Sequence, residues 1–232
     1  MSKGTATPEF LYGNFDGRIL HDTVYVTANP QFHRHDIDCE FHAVKNIWRD
    51  EGWDEKEGTV LPETVTERAL VAQEQYPNKR LLVHYMQPHF PFIGSDIGAN
   101  KEFLREDAEG FHIWMQLQTG KLNLDCETVW AAYQKNLERA LPRVREAVDE
   151  LDGKSIVSSD HGNLFGERIH PIPVRTWGHP RRLYVDELVR VPWLVVDAEY
   201  RPRITSEAPN ASSSEIADDV VESRLADLGY ME

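Results

Sequence analysis

An α/β fold built on a largely parallel sheet, with helices on both faces, is what this sequence predicts. Three observations point there. Short β-rich or apolar runs at 23–27, 80–85, 155–158 and 191–196 are separated by helical patterns at 62–75 and 128–151, and strands alternating with helices favour a parallel sheet. A length of 232 residues suffices to bury one substantial core, so a single domain is expected. The run Ser155-Ile156-Val157 reads as a buried strand and leads directly into Ser158-Ser159-Asp160-His161-Gly162-Asn163. Open α/β sheets carry their chemistry at such strand ends.

Taken in order, Thr7 before Pro8 reads as a helix start, with Thr7 as the N-cap and Pro8 in the first helical position. Thr23-Val24-Tyr25-Val26-Thr27 alternates as a strand does, and Asn29-Pro30 then turns the chain. The segment 31–58 is rich in His, Asp and Trp without a clear period, and is expected to form loops and short helices. A helix over 62–75 carries Glu63 in its first turn, where a negative charge is favoured, and a strand follows at 80–85. The pattern over 128–151 is the longest helix, which Pro142 should kink or divide. Residues 1–200 are expected to form the core, and 201–213 a polar surface connection. Ser212 and Glu215 then read as a capping box, with Ile216, Val220, Val221, Leu225 and Leu228 at helical spacing and Gly229 past the end. The tail to residue 232 is thus expected to pack as an amphipathic helix.

Composition narrows the partners. The formal net charge is −14, from 39 acidic residues against 8 Lys and 17 Arg. Abundant carboxylates with scarce Lys describe a strongly hydrated surface of the kind found in proteins adapted to high salt. Such a surface repels phosphate backbones, and no basic stripe or aromatic–basic platform appears, so no nucleic-acid partner is expected. Cys39 and Cys126 have no CxxC spacing and indicate neither a zinc ribbon nor a disulfide framework. No run of about 18 apolar residues exists and the first residues lack a signal pattern, which makes a soluble, cytoplasmic chain the expectation. The carboxylate excess also predicts salt-dependent stability, because screening relieves repulsion among surface charges. The thermal midpoint should be higher in about 2 M than in about 0.1 M KCl, and a lower midpoint at high salt would contradict it.

Adjacent Asp160 and His161 offer a hard oxygen and an imidazole, and Gly162 leaves room for a close approach by substrate or metal. Read alone, Asp-His-Gly is also a good turn. Further along stand Trp177-Gly178-His179-Pro180, and Arg190-Val191-Pro192 leading into Trp193-Leu194-Val195-Val196. Upstream stands His84-Tyr85-Met86-Gln87-Pro88-His89-Phe90-Pro91, and at the end Ser223-Arg224-Leu225-Ala226-Asp227-Leu228-Gly229-Tyr230. With these four segments in this order, the chain resembles the alkaline phosphatase and sulfatase superfamily, its sulfatase-like branch above all. The resemblance runs from about residue 4 to residue 230.

The resemblance implies an alkaline phosphatase-like three-layer sandwich with a largely parallel central sheet. It implies metal ligation by Asp160 and His161, and contacts to the transferred group from His89, His179 and His84, although His84 also reads as a core histidine inside its strand. The family places its nucleophile at a helix start. Thr7 lies directly before Pro8, whereas Thr5 fits the Thr-x-x-x-Glu-Phe arrangement of lipoteichoic acid synthase-like members. A register two residues before the proline lands on Ala6 and supplies no nucleophile. A divalent cation is implied, with oxygen and imidazole donors suiting Mn, Mg, Ca or Zn. No Cys/Ser-x-Pro-x-Arg pattern is present, so phosphate esters, as small molecules or on glycans or lipids, are expected before sulfate esters. The family's first strand and its metal-binding Asp precede the nucleophile, and this chain opens on the nucleophile segment. The expectation is therefore weak hydrolysis through a covalent threonine, or a non-catalytic binding protein of the same fold.

Overall fold

The computed structural model describes residues 1–49, 52–95, 97, 113–169, 174–209 and 218–230. Among these, helix α1 (Thr7–Phe15) leads into strand β1 (Arg18–Thr27), a single helical turn α2 (Gln31–Arg34) and strand β2 (Cys39–Asn46). The two-residue strands β3 (Trp53–Asp54) and β4 (Thr59–Val60) pair antiparallel and precede helix α3 (Pro62–Gln75) and strand β5 (Arg80–His84). Strands β1, β2 and β5 form a parallel sheet in the order β2-β1-β5. The β-branched and aromatic run of β1 lies at its centre, so Val24, Tyr25 and Val26 are covered on both faces and buried.

The segment expected to be loops thus contributes a sheet strand. Its pattern was unreadable because β2 is an edge strand with half-buried residues, His42 and Lys45 among them, and its pairing with β1 shifts register between Leu20 and Val24. The helix over 62–75 and the strand from residue 80 form where expected.

Helix α4 (Ile113–Thr119) is followed by the long helix α5 (Cys126–Glu150), which Asp125 caps by accepting the Thr128 N–H at 2.7 Å. Pro142 does not divide α5. It sits on the exposed side of the helix, where water can solvate the carbonyl that proline leaves without a donor. Helix α5 packs beside α3, with the Thr66 hydroxyl donating to the Arg143 carbonyl at 2.9 Å.

The last third departs from a single parallel sheet. Strand β6 (Ser155–Ser158) pairs antiparallel with β9 (Trp193–Val196), and β7 (Leu164–Arg168) pairs antiparallel with β8 (Arg175–Gly178). Nor is β6 buried as expected: Ile156 is 50% and Trp193 68% exposed. Apolar residues mark a run as strand-like, but their burial depends on a covering layer from elsewhere in the chain. The short helix α6 (Asp186–Val189) precedes β9.

Helix α7 (Asp218–Asp227) closes the described chain; Ser212, Glu215 and Ile216 of the expected capping box lie outside the described residues. Val221, Leu225 and Leu228 enter the main core with Val24, Val26, Trp48, Val60 and Val65. No helix among the described residues is long and apolar enough to cross a membrane.

Candidate active site

Helix α1 begins against the segment that follows β6. Its N-cap is Ala6, one residue earlier than the sequence suggests, and no side chain caps it. Alanine has no oxygen to cap with, and the Thr7 side chain is engaged elsewhere. Thr7 Oγ1 donates to Asp160 Oδ2 at 2.6 Å and lies 3.3 Å from His161 Nε2. The first turn of α1 thereby brings a hydroxyl, with the positive end of the helix dipole behind it, onto the Asp-His pair.

Thr5 sits differently. It is fully buried, and its hydroxyl lies 2.7 Å from Glu9 Oε2 and 2.9 Å from the Pro180 carbonyl, while its N–H also donates to Glu9. Burial alone would raise the Glu9 carboxyl, but hydrogen bonds from Thr5 and the Arg182 N–H, with the Arg181 charge, bring it below its ordinary value. Thr5 ties the segment preceding α1 to its first turn, whereas Thr7 reaches the Asp-His pair.

Asp160 is held by several donors. Besides Thr7, the His161 N–H donates to Oδ1 at 2.9 Å, and His84 Nε2 stands 4.0 Å from Oδ2. Burial favours the neutral acid, yet His161, His84 and the Thr7 hydroxyl outweigh it and hold the carboxyl below its usual range. The Ser2 hydroxyl donates to the Asp160 carbonyl, and the Gly162 N–H to the Leu188 carbonyl at 2.8 Å. Gly162 is needed here for backbone proximity: a Cβ on it would stand 1.9 Å from the Glu187 carbonyl oxygen. The space expected for a ligand is filled by α6.

His84, at the end of β5, is hydrogen-bonded through Nδ1 at 2.7 Å to the Tyr25 hydroxyl, whose buried phenol stays neutral. Burial lowers the His84 pKa; Asp160 opposes this and His161 adds to it. The unfolded chain therefore binds a proton near pH 6.5 that the folded chain refuses until lower pH. This contribution to stability is present above about pH 6.5 and is lost as pH falls toward the folded value. Urea midpoints measured with a chelator should fall between about pH 8 and pH 5.5, and less steeply in His84→Gln. Equal slopes in the two proteins would count against this assignment.

His89 and His179 form the facing side. His89 lies in the turn after β5, closed by its N–H on the Met86 carbonyl at 2.9 Å, and the Gln87-Pro88 and Phe90-Pro91 bonds are both cis. His179 follows β8, and the two Nε2 atoms are 3.0 Å apart. His179 also packs on His161, with ring centroids 4.4 Å apart, so the three imidazoles make a row.

The structure thus brings Thr7, Asp160, His161, His84, His89 and His179 together, while Thr5 lies one step aside. Sequence reasoning missed Asn136, Tyr25 and Tyr230. Asn136, 1% exposed on α5, lies within hydrogen-bond distance of the Pro88, His89 and Pro91 carbonyls and accepts the Ile93 N–H, which fastens the His89 turn. Its signal was legible: a polar residue on the stripe formed by Val129, Ala132 and Ala140. Tyr230 gave no comparable signal.

A cation here would rest on Asp160 Oδ2, His161 Nε2 and Thr7 Oγ1, which are separated by 2.6, 3.3 and 3.4 Å. Donors about 2.1 Å from one ion stand about 3.0–3.4 Å apart; the two separations to His161 Nε2 match, whereas the 2.6 Å between Thr7 Oγ1 and Asp160 Oδ2 is that of a hydrogen bond and would have to widen around an ion. Among the described residues, no group of three or more His, Cys, Asp or Glu side chains is arranged to hold a metal. A cation bound here would need the Thr7 hydroxyl as its third donor. Comparison of the chain with protein-family models, with characterised proteins and with solved structures finds no match.

Proposed function

We propose that the chain is a metal-dependent hydrolase or transferase of phosphate esters that works through a covalent Thr7 intermediate. The reading includes an alkaline phosphatase-like sandwich of the sulfatase-like branch, which the parallel β2-β1-β5 sheet and its flanking helices support without reaching that detail. One observation carries the function: Thr7, at a helix start, points its hydroxyl at Asp160 across 153 positions of sequence, at 2.6 Å. A helix N-terminus favours both an alkoxide and an anionic substrate.

In this reading the Thr7 proton leaves toward Asp160 as Oγ1 bonds to phosphorus. The ester P–O bond breaks and the alcohol departs with a proton from solvent. Water or an acceptor alcohol then attacks phosphorus, the Thr7 Oγ1–P bond breaks, Asp160 returns its proton to Oγ1 and the proton of the attacking oxygen passes to solvent. His89 and His179 face the site from the other side, and a phosphate entering between them would replace their 3.0 Å Nε2 contact and take hydrogen bonds from the imidazole N–H groups. A divalent cation (Mn, Mg, Ca or Zn), when bound by Asp160 and His161, would offset charge on the attacking oxygen. Small molecules, glycans or lipids bearing the phosphate are the substrate class; sulfate esters come second. The net charge of −14 works against nucleic acids.

The test is turnover of an aryl phosphate and an aryl sulfate with each cation, together with mass spectrometry of a quenched reaction. A phosphoryl adduct on Thr7, absent from Thr7→Ala, is expected. An adduct elsewhere, or none during turnover, would overturn the nucleophile. The two-residue acid–imidazole set favours a second reading, an anion-binding protein without catalysis, for which phosphate binding without turnover is the mark.

A further inference from the structure

Helix α5 turns one polar side chain inward, and it meets the turn that carries His89. Asn136 is 1% exposed, on the stripe formed by Val129, Ala132 and Ala140. Its Nδ2 stands 2.9 Å from the His89 carbonyl oxygen, 3.2 Å from that of Pro91 and 3.3 Å from that of Pro88. Its Oδ1 accepts the Ile93 N–H at 3.3 Å. Four backbone groups of one short segment thus converge on a single amide.

The residues of the turn explain why an amide stands there. Pro88 and Pro91 have no N–H, so the segment has more carbonyls than donors of its own, and a buried carbonyl without a donor costs free energy. Asparagine offers two N–H donors and an acceptor on a short side chain. Its orientation is fixed as well, because the flipped amide would set its oxygen against three carbonyl oxygens. The same turn settles the His89 ring. Its Nδ1 is hydrogen-bonded to the Phe90 carbonyl at 2.5 Å, its face stacks on Tyr230 with centroids 4.8 Å apart, and its Nε2 meets His179 Nε2 at 3.0 Å. All three contacts depend on where the backbone of residues 88–91 stands.

We infer that Asn136 is a positioning residue of this site: by fixing the carbonyls of Pro88, His89 and Pro91 it holds the His89 imidazole where a phosphate entering beside His179 meets it. Buried and engaged by the turn, Asn136 acts through His89 and does not touch the anion. A displacement of the ring by about 1 Å is enough to spoil such a contact.

The role rests on His89 as a phosphate contact and is independent of Thr7 as nucleophile, so the experiment reads binding apart from turnover. Calorimetric titration with inorganic phosphate is carried out on the full chain, Asn136→Ala, His89→Ala and the double variant, a cycle that reports whether the two residues act as one. His89→Ala should weaken phosphate about tenfold, the worth of one hydrogen bond to a charged group. Asn136→Ala should weaken it about fivefold in the otherwise unaltered chain and less than about 1.5-fold when His89 is already alanine. Asn136→Ser, which keeps one donor for the turn, repeats the cycle with a smaller disturbance of the fold. The same loss in both backgrounds overturns the role, because Asn136 would then support the fold without acting through His89. Unchanged affinity in Asn136→Ala or in His89→Ala overturns it too. If the unaltered chain binds phosphate and the cycle holds, but an aryl phosphate is not turned over, the covalent mechanism falls and Asn136 keeps its role. No phosphate binding by the unaltered chain removes both.

Discussion

Asp160→Ala is expected to reduce turnover of an aryl phosphate by about 10³-fold or more, into the background of the assay. Three losses coincide. The Thr7 hydroxyl loses its acceptor at 2.6 Å, a bound cation loses its only carboxylate among the three converging donors, and His161 loses the group beside it. Removing a ligand weakens the metal and misplaces the charge that must meet the attacking oxygen. Because the substitution also empties a half-buried polar position, Asp160→Asn serves as the second variant. It keeps the shape and an acceptor for Thr7 but removes the charge, and should retain the fold while losing most of the rate. Activity and metal dependence left unchanged by Asp160→Ala would sink the site assignment.

Gly162→Ala should have the largest effect on stability among glycine substitutions at the site. The added Cβ would meet the Glu187 carbonyl oxygen at 1.9 Å, and both partners are backbone, so neither can swing aside. Relief requires moving α6 away from the Asp160-His161 segment, breaking the hydrogen bond from Gly162 to Leu188. A cost of about 3 kcal/mol is expected, the upper range for overpacking, with His161 displaced and activity lost alongside. Gly17→Ala is the contrast. Gly17 has φ +69° but nothing within 4 Å of the added carbon, so only backbone strain of about 1 kcal/mol applies. Urea unfolding of the two variants tests the difference. Equal midpoints would show that α6 does not press on the site as described.

Most of the local structure was legible, and the reasons are local. The helix Pro62–Gln75 carries its own start signal, and Asp125 caps the long helix through a neighbour three residues on. Strand β1 announces itself through Val24, Tyr25 and Val26, whose side chains resist other conformations. The strand Cys39–Asn46 was not legible, because half-buried edge residues need no strict alternation and the bulge against β1 scrambles what there is. Pro142 misled in the other direction: proline breaks helices in isolation, but packing of α5 against α3 carries the helix through it.

The site divides along the same line. Asp160 and His161 could be named from residue chemistry at a strand end, whereas His89, His179, His84 and the threonine pair could be named only through the family resemblance. The choice between Thr7 and Thr5 could be made from neither. Two residues apart and chemically alike, they differ only in what faces them: Asp160 for one, Glu9 and the Pro180 carbonyl for the other. Tyr230 lies still further from any sequence signal, because it stacks on His89 from a remote segment and the two meet only when α7 docks on the core. The pairing of β6 with β9, antiparallel and exposed, was likewise settled by what packs around the strands. Residue type limits which groups can do chemistry; which of them touch depends on long-range burial, whose free energy belongs to the assembled core and to no short stretch of chain.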